Sequence, residues 1–202
     1  MSTIDLSLNG YTDLPKGKLA YVVTYLEMLE KASLGSTSRN DIHLECWERP
    51  DRIAFKALFR EIGEEWLWFS RLVISDEALD KKLNDPHCEI YCPMIDGKRV
   101  GLLELSFKDP QNVEVAYFGL VPSAIGSGKG RWLMANAVQI AWSRAETKRL
   151  WLHTCTGDSP QAIHFYQSCG YRAFKRAVEV VDDPRCSGHL PRTAGPHVPV
   201  IE

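Results

Sequence analysis

Apolar residues recur along the chain with two spacings, alternate positions in strands and every three to four positions in helices, and this predicts where the elements lie. Residues 19–26 hold a β-branched and aromatic cluster that favours a strand, whereas residues 27–32 are more typical of a helix. Residues 33–40 are loop-like, and residues 41–48 alternate polar with apolar positions as a half-buried strand does. We therefore expect two strands near the start of the chain that pair with each other.

The periodicity changes from helical to strand-like in the middle of the chain. Apolar residues recur every three to four positions over residues 51–62, and Ser75 with two acidic residues begins a second, short helix over residues 75–83. Strands are then predicted over residues 89–95, 99–108 and 113–121, separated by the turn sequences Asp96-Gly97 and Asp109-Pro110. This arrangement is an antiparallel meander.

The second half of the chain alternates helices and strands after a glycine-rich loop. We predict a helix over residues 130–145, a strand over 150–156, a helix over 160–169 and a strand over 173–181. The fold class is therefore α/β, a mixed sheet in which an antiparallel meander is followed by β-α-β-α-β. Residues 1–17 are loop-like. The C-terminal arm, residues 182–202, holds four of the eleven prolines and is expected to extend over the surface.

The composition excludes several classes of protein. With 202 residues, of which 45% are hydrophobic and 25% charged, the chain has the composition of an ordinary globular protein. Its 24 basic and 26 acidic residues give a net charge of −2, which argues against nucleic acid as a partner. The chain has no apolar run as long as a membrane span and no secretion signal, so we expect a cytoplasmic protein without a membrane partner.

The six cysteines are also consistent with a cytoplasmic protein. Their spacing matches neither a disulfide framework nor a zinc-binding motif, since three residues rather than two separate Cys88 from Cys92. We expect reduced thiols and no bound metal. His153 and Cys155 share one face of a predicted strand, but without a third ligand or a base we assign them no role.

The most informative motif lies in residues 121–133, where glycines stand between a predicted strand and a predicted helix. Glycines let backbone N–H groups approach an anion closely, and the dipole of the following helix favours negative charge there. The segment predicts a phosphate-binding loop, with a flexible connector as the alternative. It is not a P-loop, because Gly130 follows Gly128-Lys129 where Ser or Thr is required, and Arg131 replaces the third glycine of the dinucleotide-binding motif.

Two motifs together resemble those of the GNAT superfamily of acyl-CoA-dependent N-acetyltransferases. Residues 125–130, Ile-Gly-Ser-Gly-Lys-Gly, are similar to its diphosphate loop, Gln/Arg-x-x-Gly-x-Gly/Ala. Residues 159–171 are similar to its Asn-x-x-Ala-x-x-x-Tyr-x-x-x-Gly-Phe segment. The chain departs from the family at Ile125, which replaces Gln or Arg and bears on cofactor affinity. It departs again at Ser159, which replaces Asn but is a good N-cap before Pro160.

The resemblance implies acetyl-CoA as co-substrate and helices on both faces of the sheet. It implies a GNAT-like domain over residues 41–181, between an N-terminal extension over residues 1–40 and the C-terminal arm. The residues implied to bind the cofactor are the backbone donors Phe118 and Leu120, the loop residues Ile125, Gly126, Ser127, Gly128, Lys129, Gly130 and Arg131, and Ser159.

Amine acetylation by direct transfer needs a base for the ammonium, a donor to the thioester carbonyl and an acid for the departing thiolate. The resemblance implies Glu114 as the base, with Glu104 as the substitute candidate, and Tyr166 as the acid. A solvated carboxylate at a strand entrance is the alternative interpretation of Glu114. An ordinary core tyrosine is the alternative for Tyr166.

The acceptor site in relatives is walled by the region between the first two helices, which here holds Trp66, Trp68, Phe69 and Arg71. These aromatic residues could equally belong to the core. The acceptor stays open between a small amine, an amino acid or peptide derivative and a protein lysine, and a homodimer stays open too. The expected function is an N-acetyltransferase that works in a ternary complex. The alternatives are a catalytically silent acyl-CoA-binding module and a metal-dependent hydrolase.

Overall fold

The computed structural model describes residues 3–202, so the first two residues of the predicted N-terminal extension lie outside it. The strands are β1 Lys18–Met28, β2 His43–Cys46, β3 Cys88–Ile95, β4 Lys98–Arg99, β5 Gly101–Ser106, β6 Asn112–Leu120, β7 Arg149–Cys155 and β8 Arg172–Asp182. The α-helices are α1 Arg52–Gly63, α2 Asp76–Leu83, α3 Lys129–Ala141 and α4 Ala162–Ser168.

All eight strands form one mixed sheet in the order β2-β3-β5-β6-β7-β1-β8, with the short β4 paired to β3. Strands β6 and β7 run parallel, and every other described pair is antiparallel. Helices α1 and α3 both contact β5, whose first five residues are all buried, so the sheet is covered on both faces there. The predicted α/β class, with a meander followed by β-α-β-α-β, is confirmed.

Local side-chain chemistry explains where the helices begin and end. The Asp51 carboxylate accepts the Ala54 amide at 2.9 Å and Ser75 Oγ accepts the Ala78 amide at 3.2 Å, so both caps begin helices near their predicted starts. Helix α3 ends at Ala141 rather than at the predicted residue 145. The hydroxyls of Ser143 and Thr147 donate to carbonyls of its last turn at 2.7 and 2.8 Å, which replaces further helical hydrogen bonds.

Helix α4 begins at Ala162, two residues later than predicted. The Ala162 amide donates to the Ser159 carbonyl at 2.9 Å, which closes a turn over Pro160 and Gln161. The expectation that Ser159 caps this helix is therefore wrong, because Gln161 occupies the position before its first residue.

Strand β1 differs most from the sequence-based expectation. It lies between β7 and β8, with Val23 opposite Cys155 and Val22 opposite Val178, so the expected pairing of the first two strands is wrong. The helix expected at residues 27–32 is also wrong. The Glu27 carboxylate bonds Arg149 of β7 at 2.9 Å and lies 3.4 Å from Arg172 of β8, which supports continuation of the strand through Met28.

The C-terminal arm folds into turns rather than extending over the surface as expected. Its side chains Asp183 and Arg185 form a buried ion pair with an Nη2–Oδ2 distance of 2.7 Å. Arg185 Nη1 also donates to the carbonyls of Ala194 at 3.1 Å and Val198 at 2.7 Å, which holds the turns around one guanidinium. In residues 3–202, no helix is both long enough and apolar enough to cross a membrane.

Candidate active site

Strands β6 and β7 separate soon after they begin. They pair only from Asn112, opposite Arg149, to Glu114, opposite Trp151. Beyond this point β7 continues to pair with β1, and a cavity of about 740 Å³ opens between the diverging strands. The side of β6 that faces away from β5 therefore has backbone groups with no strand partner over residues 115–120.

The hydrogen-bond phase of β6 decides which amides face this cavity. The Val121 amide donates to the Val100 carbonyl of the neighbouring chain segment at 3.0 Å. Neighbouring residues of a strand direct their amides to opposite sides. Because the Val121 amide points toward the β5 side, the amides of Leu120 and Phe118 point away from β5 and toward the gap. Both residues line the cavity.

The glycine-rich loop forms part of the cavity wall. Gly126, Ser127 and Gly128 have φ of 100°, 47° and 76°, three successive residues in the left-handed region, and α3 begins at the next residue. This conformation is open to glycine and costly for most other residues. Of the predicted loop residues, Ile125, Gly126, Gly128, Gly130 and Arg131 line the cavity, whereas Ser127 and Lys129 do not.

The two loop residues outside the cavity wall bond to each other. Lys129 Nζ donates to Ser127 Oγ at 2.7 Å. Gly130 faces the Phe165 ring, which a Cβ at that position would meet at 3.6 Å, and Arg131 Nη1 donates to the Ser168 carbonyl at 3.2 Å. The loop and α4 are thereby held together at the start of α3.

Two glutamates lie on neighbouring strands beside the splay, in different surroundings. Glu114 is half-buried, lines the cavity and makes no ion pair within residues 3–202. Burial raises its pKa, against the opposing effect of His153. Glu104 is 4% exposed and one of its carboxylate oxygens lies 2.5 Å from Arg71 Nη2. Glu104 is thus neutralised in a pair, whereas Glu114 is free to take a proton.

Tyr166 projects from α4 into the cavity among other aromatic rings. Its centroid lies 5.4 Å from Phe165, and 6.1 Å from both Phe118 and Tyr171. Burial, followed by the nearby Asp158 carboxylate, raises the Tyr166 pKa well above its usual value. The hydroxyl is therefore protonated at neutral pH, as a proton donor must be.

The aromatic residues expected to wall the acceptor site all line the cavity. Trp68 packs its ring 5.2 Å from Tyr117 and donates its indole N–H to Asp158 at 3.2 Å. Glycine at positions 63 and 119 permits this packing, because a Cβ there would lie 2.3 and 3.0 Å from atoms of Trp68. Trp66 lies 5.6 Å from the His197 ring of the C-terminal arm, so the arm supports this wall.

The remaining predicted residues have mixed surroundings. Phe69, Arg71 and Ser159 line the cavity, but the Arg71 guanidinium is committed to Glu104 and stacks 4.8 Å over the Tyr117 ring. His153 and Cys155, to which no role was assigned, also line it. Across residues 3–202 no group of three or more His, Cys, Asp or Glu side chains could hold a metal ion.

Three residues of this region were not identified as site residues from the sequence. The Asp158 carboxylate accepts hydrogen bonds from Trp68, from Thr154 Oγ1 at 2.7 Å and from the Cys155 amide at 2.9 Å. The only sign of its role in the sequence was its position directly before Ser159. Tyr117 bonds the Ser70 hydroxyl. Arg39 donates to the Ser127 carbonyl at 2.8 Å from 88 residues away in the chain, and no local pattern could reveal that contact.

Comparison with known proteins gives this geometry a family. A family model described as the acetyltransferase (GNAT) family matches residues 41–171, which is more than half of the chain. The chain belongs to the GNAT acetyltransferase family. The GNAT region thus spans β2 to α4, and strands β1 and β8 lie outside the matched residues. None of the curated proteins matches the chain.

Solved structures similar to this GNAT protein share its fold. An aminoglycoside acetyltransferase from an uncultured soil metagenomic sample has a TM-score of 0.56 at 18% identity, covering 69% of this chain and 94% of its own. A GNAT acetyltransferase from Elizabethkingia anophelis, solved with acetyl-CoA bound, has a TM-score of 0.53 at 18% identity, covering 68% and 80%. A conserved protein of unknown function from Staphylococcus epidermidis has a TM-score of 0.57 at 15% identity, and this chain spans only 63% of its length.

Proposed function

We propose that the protein transfers an acetyl group from acetyl-CoA to a primary amine by direct attack in a ternary complex. The observation that carries the proposal is a single cavity with three suitable features. A loop fit for a diphosphate lines it, strand amides with no strand partner border it, and both Tyr166 and the Glu114 carboxylate, which makes no ion pair in the described chain, contribute to its wall. Each feature answers one requirement of acyl transfer to an amine.

The lining of the cavity suits the parts of acetyl-CoA. The loop and the start of α3 present amides to the diphosphate, aided by the guanidinium of Arg131. The amides of Phe118 and Leu120 are available to the pantetheine chain and to the thioester carbonyl, because β7 has diverged from them. Amides fixed in a strand stabilise a developing oxyanion with little reorganisation.

Glu114 acts as the base in this proposal. Its carboxylate has no cation partner in the described chain, and burial raises its pKa above that of an ordinary glutamate, which makes it a stronger base. Glu104 is the weaker candidate because Arg71 holds its carboxylate in an ion pair. Glu114 removes the proton from the ammonium directly or through water.

Tyr166 supplies the proton that the departing thiolate takes up. Its hydroxyl stays protonated at neutral pH because burial and Asp158 disfavour the phenolate. Phe118 and Phe165 flank its ring, so the side chain has a defined direction into the cavity.

The acceptor end of the cavity suits a cationic amine with an apolar or aromatic body. Trp66, Trp68 and Phe69 offer rings, and cations are attracted to the faces of such rings. Asp158 adds a carboxylate with no cation partner in the described part of the chain. One of the similar structures is an aminoglycoside acetyltransferase, whose name likewise points to an amine acceptor.

The proposal is tested by incubating the protein with acetyl-CoA and a panel of amines while free thiol release is followed. The panel contains arylalkylamines, aliphatic diamines, an aminoglycoside, free amino acids and a lysine peptide. We expect turnover of at least one basic amine without an acidic group, and loss of that turnover in Glu114→Gln. Tight binding of CoA with no amine turned over would instead favour a silent acyl-CoA-binding module.

We also propose that the protein works in the cytoplasm. All six cysteines are free thiols, and burial raises the pKa of the Cys92 and Cys155 thiols to about 12. Thiols this reluctant to ionise resist oxidation and have no part in the proposed chemistry.

A further inference from the structure

The segment just before β2 is docked on the cofactor loop. Trp132 of α3 donates its indole N–H to the Thr37 carbonyl at 2.7 Å, and Arg39 Nη1 donates to the Ser127 carbonyl at 2.8 Å. Asp41 receives the other side of the Arg39 guanidinium in two hydrogen bonds of 2.8 Å each. Arg39 and Thr37 lie outside the residues that match the family.

The hydrogen bond from Arg39 to the Ser127 carbonyl affects the direction of the next amide, that of Gly128. The Ser127–Gly128 peptide is planar and trans, so its carbonyl and its N–H point in opposite directions. When Arg39 holds the carbonyl on the outer side of the loop, the Gly128 amide is turned to the opposite side, toward the cavity that Gly128 lines.

The loop conformation needs such support because of the residue in its middle. Ser127 has φ of 47°, a left-handed conformation that a residue with a Cβ adopts reluctantly. Arg39 Nη1 would lie 3.5 Å from a Cβ on Gly128, so the guanidinium is packed against the very turn it bonds. Its bidentate pair with Asp41 fixes the direction in which it donates.

We propose that Arg39 is a cofactor-positioning residue, which orients the Gly128 amide toward the diphosphate of acetyl-CoA by holding the Ser127 carbonyl away from it. The inference rests on the proposed function of the cavity. Arg39 acts through the loop and not on the phosphates, because it bonds the loop from outside and does not line the cavity.

The test measures acetyl-CoA binding and steady-state kinetics for Arg39→Ala and Arg39→Lys. A lost hydrogen bond from a charged donor is typically worth about a tenfold or larger change in affinity. We expect Kd and KM for acetyl-CoA to rise about tenfold in Arg39→Ala, with kcat at saturation and acceptor KM within about twofold of wild type. Arg39→Lys should recover part of the affinity, because an ammonium can still donate to the carbonyl.

The matched control is Arg192→Ala, which removes another arginine held by two bonds to one carboxylate, that of Glu202, at an exposed position away from the loop. It should leave acetyl-CoA affinity unchanged. Bound acetyl-CoA should slow amide hydrogen exchange of Gly128, and this protection should shrink in Arg39→Ala alone. Equal exchange and equal affinity in Arg39→Ala and wild type overturn the inference.

A comparison of CoA with 3′-dephospho-CoA separates positioning from direct phosphate contact. Positioning predicts the same loss of affinity for both ligands in Arg39→Ala. If the loss disappears with 3′-dephospho-CoA, Arg39 binds the 3′-phosphate itself and the inference is wrong. If wild-type protein binds neither ligand, the proposed function fails instead, which is a different result from unchanged affinity in the variant.

Discussion

Glu114 and Glu104 illustrate how surroundings separate two chemically identical residues. Both lie on neighbouring strands, but Arg71 neutralises Glu104, whereas Glu114 lines the cavity with no cation at bonding distance in the described chain. The family resemblance ranks Glu114 ahead of Glu104, but the sequence does not show the difference in surroundings that separates them. The deciding residue, Arg71, precedes Glu104 by 33 positions and reaches it only in the folded protein.

Replacing Glu114 by Gln should lower kcat by about 10²–10⁴-fold, the usual contribution of a general base. Because the base works as the carboxylate and burial raises its pKa, wild-type activity should rise with pH through a value above that of an ordinary glutamate. The variant should recover at high pH, where the amine is already deprotonated. Measured kcat against pH decides this, and an unchanged profile in the variant would exclude Glu114 as the base.

Replacing Tyr166 by Phe keeps the ring packed against Phe118 and Phe165 and removes only the hydroxyl. Since a thiolate of pKa near 8.5 leaves fairly well unaided, kcat should fall by about 10²-fold or less, while CoA affinity stays nearly constant. Stopped-flow thiol release and calorimetry with CoA provide the two measurements. Loss of CoA binding or of folding would show that the role of Tyr166 is structural.

At the scale of elements, the loop before α3 carries the cofactor end of the site. Replacing Gly128 by Asp adds bulk and negative charge where the diphosphate is proposed to lie. A ligand at 100 times its Kd stabilises a protein by about 2.7 kcal/mol, which corresponds to about 5–10 °C in Tm at this size. We expect acetyl-CoA to raise the Tm of wild type by this amount, and that of Gly128→Asp by much less.

The matched control for this variant is Gly97→Asp. Gly97 also has a positive φ, 72° against 76°, and a Cβ there meets nothing within 4 Å, so the backbone strain is similar but the site is remote. Gly97→Asp should lower the Tm slightly and keep the full response to acetyl-CoA. A full response in Gly128→Asp would remove the loop from the site.

The elements that depend on local chemistry were predictable, and those that depend on distant partners were not. Asp51 and Ser75 mark their helix starts because a capping side chain bonds residues three positions later. The glycine-rich loop can likewise be recognised from a short stretch of sequence. The position of β1 depends on β7 and β8, more than a hundred residues away, and the end of α3 depends on two hydroxyls that periodicity ignores.

For the whole molecule, the C-terminal arm depends on one buried ion pair. Arg185→Met would leave the Asp183 carboxylate buried without its partner and three carbonyls without a donor. Breaking a buried pair in this way typically costs about 3–5 kcal/mol. We expect a loss of that size in urea unfolding, whereas Arg192→Met, at an exposed pair with Glu202, should cost about 0–1 kcal/mol.

The same variant has a predictable dependence on pH. Burial raises the Asp183 pKa, but the hydrogen bonds from Arg185 outweigh it and lower the pKa below its usual value. A carboxyl whose folded pKa is lowered stabilises the protein above its unfolded pKa, and this contribution is lost as the pH falls through the folded pKa. In Arg185→Met, burial without the guanidinium should raise the folded Asp183 pKa above its usual value of about 4. The stability difference between wild type and Arg185→Met should therefore be largest at high pH and begin to shrink already above about pH 4 as the pH falls. A difference that does not change with pH would contradict this account.

The place of β1 between β7 and β8 also governs how the protein can be made. Strand β1 is synthesised about 130 residues before its neighbour β7. At about 5–20 residues per second, the nascent strand waits roughly 6–25 s with Leu19, Tyr21 and Val23 unprotected from water. The sheet cannot close around β1 until β7 and β8 have emerged, so a chaperone that holds nascent chains would act at this strand.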